Sequence, residues 1–337
     1  MKDLNLQLYH SKGKTLKQRD LELPDYEPFA GLEKSENYIA DSGLTDAVNV
    51  ALALGQPLLI TGEPGTGKTC LAASIAWQLG LNLLTFHTKT TSTAADLFYH
   101  YDALRRFQDR TVEGNQKKKI EEYITSQALG SAILLTNPTD LGTEILPENL
   151  KDKGPARSVV LIDEIDKAPR DLPNDVLNEV EKLEFSVNEA NWEPFKAASG
   201  HRPILVITSN SEKNLPDAFL RRCVFYHIDF PVPEDLRQIV INRFKDNDTV
   251  EPEFSDDFLK AAEDHFYKIR KMDLKKVPAT AEYLAWISIL KSRGLDLSRP
   301  DISNLDKEDL TSLELSYSVL TKTREDMKLL KRNLKKK

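Results

Sequence analysis

Gly62-Glu63-Pro64-Gly65-Thr66-Gly67-Lys68-Thr69 is the stretch that decides how this chain is read. It fits glycine, four residues, then Gly-Lys-Thr, the pattern of a phosphate-cradling loop. Glycines let backbone N–H groups turn inward as a nest for phosphate oxygens. A helix that starts there adds the positive end of its dipole. The context agrees with this. Pro57-Leu58-Leu59-Ile60-Thr61, just ahead, is a short apolar run bounded by turn residues and predicts a buried strand. Behind the loop, Leu71, Ile75, Ala76 and Leu79 recur at helical offsets up to Gly80, a C-cap residue. Lys68 is suited to reach β- and γ-phosphates, and the Thr69 hydroxyl to ligate Mg²⁺. Cys70 is the next residue of the cradle and reads as a small buried apolar side chain.

Such a loop needs an acidic partner, because the metal and an attacking water must both be placed. Val159-Val160-Leu161-Ile162-Asp163-Glu164 supplies one: a buried strand delivers Asp163 toward the metal, with Glu164 at its tip to activate water. The plain alternative for Glu164 is a surface carboxylate at a strand end. Val206-Ile207-Thr208-Ser209-Asn210 ends another strand in polar residues at the carboxyl edge, where ligands bind in open α/β sheets. Asn210 can donate to a phosphate oxygen or orient water, or it can simply form a turn. Leu220-Arg221-Arg222-Cys223 places paired guanidinium groups before a strand. These suit transition-state phosphoryl oxygens, with a surface salt bridge as the alternative for each.

Helical offsets run from Leu44 to Gly55. Leu83–His87 predicts a strand, Ala94–Gln108 a helix with Leu97, Tyr101 and Leu104 on one face, and Ile120–Leu135 another helix. Thr139–Arg157 reads as a loop, Ser158–Ile162 as a strand, Asp175–Leu183 as a helix and Phe185–Ala198 as a hairpin. Ile204–Ser209 and Val224–Asp229 read as two more buried strands. Strands alternating with helices predict an α/β domain built on a parallel sheet. After Pro231 only helices follow: Pro233–Phe244, Phe254–Lys271, Thr280–Ser292 and a long amphipathic one from Leu305 to Leu334. The expected organisation is an extension over residues 1–34, an α/β nucleotide-binding domain over 35–231 and a helical lid over 232–337.

The chain has 337 residues, with 46 Lys+Arg against 53 Asp+Glu, a net charge of −7. That balance argues against a nucleic-acid coat, since phosphate binding needs a basic surface. Two cysteines, Cys70 and Cys223, cannot build a disulfide framework or a four-thiolate zinc site. The six histidines show no metal-ligand spacing. Phe98, Tyr99, Tyr101 and Phe107 read as core or inter-subunit packing before base stacking. Lys117–Lys119 and the tail Lys331–Lys337 read as solvated ends. No apolar run reaches the roughly 18 residues that span a bilayer, and the first twenty residues lack a secretory core. The expectation is an intracellular, cytoplasmic protein.

These motifs together resemble the AAA+ ATPases, and within them the MoxR branch, over Tyr38 to Trp286. Gly62–Thr69 is similar to Walker A, and Asp163-Glu164-Ile165-Asp166-Lys167-Ala168-Pro169 to an extended Walker B, where the branch usually has Asp-Glu-Ile-Asn-Arg-Ala. Asn210 falls at sensor 1, Arg222 at the arginine finger, and Glu184–Ala198 at the hairpin this clade inserts before sensor 1. The resemblance implies a P-loop AAA+ three-layer αβα domain with a five-stranded parallel sheet and a helical lid. It also implies ATP with Mg²⁺ and a ring, commonly hexameric, with Arg222 acting on the neighbour's nucleotide. Protein remodelling is the implied work, with a protein client or a von Willebrand factor A-domain partner. Tyr38 and Ile39 are placed at the adenine by the same analogy. One position departs: Ala281 stands where a sensor 2 arginine opens a lid helix, leaving Lys275, Lys276 or Arg221 to substitute, or lid coupling to be weaker. An assembly switch with little turnover is the competing reading. A GTPase lacks its Asn-Lys-x-Asp motif.

Overall fold

The computed structural model describes residues 35–111, 118–211, 215–244, 254–295 and 307–335. The expected extension over 1–34, the residues 112–117 of the basic stretch and the last two lysines lie outside them. Helix α1 (Ser42–Leu54) begins where the Asp41 carboxylate accepts the Leu44 N–H at 2.8 Å, and it ends at Gly55 in the left-handed region. β1 (Leu58–Gly62) leads through the glycine loop into α2 (Lys68–Leu79), closed by Gly80 at φ 64°. β2 (Asn82–His87) follows. The later strands of the main sheet are β5 (Ser158–Asp163), β8 (Ile204–Thr208) and β9 (Val224–Ile228).

The order is β2-β5-β8-β1-β9 and every pairing is parallel, so the five-stranded parallel sheet that the resemblance implied is present. The burial of each strand follows its place. β1 and β5 are buried throughout, whereas β2 and β9 alternate, as edge strands do. Val224–Asp229 is therefore not the buried strand its composition suggested: Phe225 is 48% exposed. Leu59, Val160, Ile162, Leu205 and Ile207 share one core with Leu129 and Ile133 of α4 (Ala128–Thr136). By strand alternation Val159, Leu161 and Val206 face the other side, where α2 packs.

Between β2 and β5 the helical expectations hold only in part. Ala94–Gln108 contains β3 (Tyr99–Tyr101) and then α3 (Ala103–Thr111). Ile120–Leu135 contains β4 (Ile124–Ser126) before α4. β3 and β4 pair antiparallel, with Tyr99 opposite Ser126, because the aromatic and β-branched residues on both segments favour a ladder. Leu97, Tyr101 and Leu104 do not share a face: Leu97 is buried and Leu104 exposed. The expected loop Thr139–Arg157 holds α5 (Asp140–Ile145), capped by Thr139 Oγ1 accepting the Gly142 N–H at 3.1 Å. Asp175–Leu183 is split into α6 (Leu172–Asp175) and α7 (Leu177–Lys182) at Val176. The expected hairpin forms from β6 (Glu184–Phe185) and β7 (Phe195–Lys196). Phe185 stacks on Phe98 at 5.4 Å and on Phe195 at 5.2 Å between centroids.

After α8 (Asp217–Leu220) and β9 come α9 (Pro233–Phe244), α10 (Asp256–Arg270), α11 (Thr280–Ser292), α12 (Lys307–Leu320) and α13 (Arg324–Lys335). The single long C-terminal helix is thus two. Thr323 Oγ1 accepts the Asp326 N–H at 3.1 Å and starts a new helix, a capping signal that outweighs a continuous amphipathic period. The described residues form two compact units. One is Ala40–Glu63 with Gly67–Asp229; the other is residues 35–39 with Pro64–Thr66 and the helical part from Phe230 onward. The helical unit has its own core, in which Phe266, Tyr283, Trp286 and Tyr317 are almost wholly buried. No helix among the described residues is long and apolar enough to cross a membrane.

Gly130 in α4 meets the Phe98 carbonyl so closely that an added Cβ would lie 1.9 Å from its oxygen. Gly130→Ala should therefore cost at least about 2–4 kcal/mol of stability. Gly80→Ala, with open space around it, should cost only about 1 kcal/mol for its left-handed backbone. Urea unfolding of both variants checks this, and equal midpoints would contradict it.

Candidate functional site

Three of the loop glycines sit at positive φ, Gly62 at 148°, Gly65 at 80° and Gly67 at 89°, which other residues reach only with strain. The Lys68 ammonium folds back over the loop and donates to the carbonyls of Gly62 at 2.9 Å and Glu63 at 2.8 Å. Its side chain is almost fully buried. Desolvation draws its pKa below the usual lysine value, while Asp166, Asp163, Glu164 and Glu63 pull it back up.

Asp163 ends the buried strand β5, and its carboxylate joins two neighbouring elements. Oδ1 accepts from Thr69 Oγ1 at 3.0 Å and from Thr208 Oγ1 at 2.7 Å. Oδ2 lies 3.3 Å from His87 Nδ1 on β2. Thr208 then accepts the Glu164 N–H at 2.9 Å. That bond fixes Glu164 at φ 57°, a left-handed conformation rare for a non-glycine residue and of the kind that collects at functional sites. The Glu164 carboxylate pairs with Lys167, whose pKa this bond raises.

Asn210 follows β8, half-buried, and its N–H donates to Asp166 Oδ1 at 3.0 Å. The arginines lie elsewhere. Arg222 precedes β9, whose Val224 pairs with Leu58 at the start of β1, whereas the glycine loop begins at Gly62 at its end. The four residue steps from Leu58 to Gly62, at ~3.3 Å each, put the two ends about 13 Å apart. Arg222 makes the salt bridge weighed above, Nε to Glu181 Oε2 at 3.3 Å, and donates to the Ala218 carbonyl at 3.0 Å. Arg221, Arg222, Arg202 and Glu181 line one cavity of about 150 Å³. Arg221 is therefore far from this chain's own loop and cannot stand in there for the missing arginine. Lys275 Nζ is 3.9 Å from Glu325.

The structure thus gathers Gly62, Glu63, Gly67, Lys68, Thr69, Asp163 and Glu164 in one unit, with Asn210 beside them. Tyr38 and Ile39 belong to the helical unit, as do Pro64, Gly65 and Thr66. Cys70 is half-buried, not the fully buried side chain expected. Cys223 is likewise half-buried, packed against the core, and burial pushes its thiol up to about 12. Reading the sequence missed Thr208, Asp166, His87 and Glu181. Thr208 carried a signal as the polar end of an apolar strand, and Asp166 as a member of the Asp163–Pro169 motif; His87 and Glu181 carried none.

Thr69 and Asp163 offer a hydroxyl and a carboxylate oxygen 3.0 Å apart, the hard oxygen donors that Mg²⁺ prefers. Among the described residues no group of three or more His, Cys, Asp or Glu could hold a metal by itself.

The profile of the ATPase family associated with various cellular activities (AAA) matches residues 58–232, just over half of the chain. No curated protein sequence matches. Among solved structures, a RuvB mutant of Thermotoga maritima aligns with TM-score 0.48 and 16% identity, covering 84% of this chain and 73% of its own. The Thermotoga maritima RuvB Holliday junction branch migration motor aligns with TM-score 0.46 and 15% identity, covering 86% and 80%.

Thr208→Val keeps the shape of this residue but removes a donor to Asp163 and the acceptor for Glu164. Stability should fall by about 1–3 kcal/mol, and Thr208→Ser should recover most of it. Denaturant unfolding of the pair checks this, and a Val variant as stable as wild type would refute it.

Proposed function

The chain belongs to the AAA ATPase family, and from that premise we propose that it hydrolyses ATP to ADP and phosphate with Mg²⁺. The observation that carries this reading is the Asp163 carboxylate bonded to Thr69 at 3.0 Å, with Glu164 locked next to it. The backbone amides of Gly62–Thr69 and the Lys68 ammonium receive the β- and γ-phosphates. Thr69 and Asp163 would hold Mg²⁺, which would supply charge neutralisation on the phosphate oxygens. Glu164, once it exchanges Lys167 for a water, takes a proton from that water. The water oxygen bonds to the γ-phosphorus as the β–γ bridging P–O bond breaks, and ADP takes the electron pair. Asn210 orients the water or the γ-phosphate.

Arg222 completes the site of a second copy. Its place at the amino-terminal end of the sheet, away from its own loop, supports action on a neighbour's nucleotide, as in a ring. Val50, Leu54, Trp77 and Leu79 are apolar and at least 47% exposed in the single chain, which fits burial by assembly. The β6–β7 hairpin ahead of β8 and the Asp163–Pro169 motif support the MoxR branch. From it comes the reading of chaperone-like remodelling of a protein client or a von Willebrand factor A-domain partner. Residues 35–231 serve as the nucleotide-binding domain and 232–337 as its lid. An assembly switch with little turnover is the second reading, favoured by Ala281 at the sensor 2 position.

Glu164→Gln should bind ATP with wild-type affinity in calorimetry and lose steady-state hydrolysis. Turnover equal to wild type would remove Glu164 from the chemistry, and a wild type that binds but barely turns over would favour the switch. Arg222→Ala should lose about 10³–10⁵ in rate, roughly 4–7 kcal/mol of barrier. Mixing it with Lys68→Ala should restore activity through hybrid sites. No rescue at any ratio would exclude action between copies.

A further inference from the structure

Glu181 is the last residue but one of α7, and its backbone is tied from outside that helix. Arg202 donates from Nη2 to the Glu181 carbonyl at 3.3 Å and from Nε to the Gly55 carbonyl at 3.2 Å, so one guanidinium joins the end of α7 to the residue that closes α1. From this fixed base the Glu181 carboxylate reaches Arg222: Oε2 accepts from Nε at 3.3 Å, across 41 residues. Arg222 Nη1 donates at 3.0 Å to the carbonyl of Ala218, one turn back on α8. Of the described residues lining the cavity of about 150 Å³ at this end of the sheet, three are arginines and one, Glu181, is an acid. A guanidinium binds a phosphate best as a fork, through two parallel N–H donors. Glu181 occupies Nε, so the fork made by Nε and Nη2 cannot close on a phosphate while the pair lasts. A carboxylate left beside the phosphate would also repel it. A contact made in the free copy and lost on engagement lowers engagement by its own strength. That strength is modest here. The Arg222 and Glu181 side chains are 46% and 63% exposed, and an exposed pair is worth a factor of about five at most.

We propose that Glu181 is a positioning residue for Arg222: it holds the guanidinium in the unassembled copy and gives it up to the phosphate of a neighbour's nucleotide, so that its carboxylate restrains turnover. The restraint belongs to the copy that lends the arginine and not to the copy that holds the nucleotide.

This inference rests on the ATPase reading with Arg222 acting between copies, and the mixture of Lys68→Ala with Arg222→Ala tests that reading first. In the mixture the Lys68→Ala copy lends the arginine and the Arg222→Ala copy holds the nucleotide. Glu181→Gln added to the lending copy keeps an acceptor but not the charge, and should raise hybrid turnover about twofold. Glu181→Ala in the same copy keeps neither, and should raise it about threefold to fivefold. Either change placed in the nucleotide-holding copy, which has no Arg222 to restrain, should leave hybrid turnover where it was. A merely structural residue would move both mixtures alike. No rise in the lending copy, a fall there, or the same change in both mixtures would each overturn the proposal. Should Glu181→Ala not fold, Glu181→Gln decides it by the same comparison. A parent mixture without activity would bring down the reading of Arg222 and this proposal together, whereas an active parent mixture that the Glu181 variants do not move overturns this proposal alone.

Discussion

The Asp163 carboxylate is the constraint on which the site depends. It ends a fully buried strand, and a buried charge is costly unless its oxygens are engaged. Thr69 from the start of α2 and Thr208 from the end of β8 both donate to one of those oxygens, and His87 on β2 flanks the other. A single side chain thus registers three adjacent strands and the phosphate-loop helix against each other. Glu164 inherits its position from the same network, because its N–H ends on Thr208 and its backbone is held left-handed.

That convergence follows from the strand order. With β5 and β8 adjacent and β8 paired to β1, the carboxyl ends of the three most buried strands lie side by side. Parallel pairing makes all of them end on the same edge, so the glycine loop after β1, the acids after β5 and Asn210 after β8 share one rim. The amino-terminal edge carries a different set, Arg202, Arg221 and Arg222 around Glu181. On the proposed reading, one rim holds the nucleotide and the other lends a cation to the next copy. The Glu181–Arg222 pair, 3.3 Å apart and exposed, is weak enough to give way to a phosphate.

Where sequence periodicity misled, the segments lie outside the main sheet. Tyr99–Tyr101 and Ile124–Ser126 are too short to establish a period, and a ladder between residues about 25 apart leaves no local mark. Thr323 interrupts an amphipathic pattern that its neighbours on both sides continue. The edge strand β9 is as apolar in composition as the central strands, and only the strand order leaves Phe225 exposed.

The amino-acid sequence by itself determined the glycine loop, the apolar strands that deliver Asp163 and Glu164, the caps at Gly55 and Gly80, and hence the fold. Each of these is written in adjacent residues, through backbone freedom or local burial. The tertiary structure alone decided that Thr208 donates to Asp163 across 45 residues and the Asn210 N–H to Asp166 across 44, that Arg222 lies at the far end of the sheet from its own loop, and that Glu181 holds it. Those contacts depend on which strands become neighbours and in what register, a choice made by packing the whole core and not by any single stretch of chain.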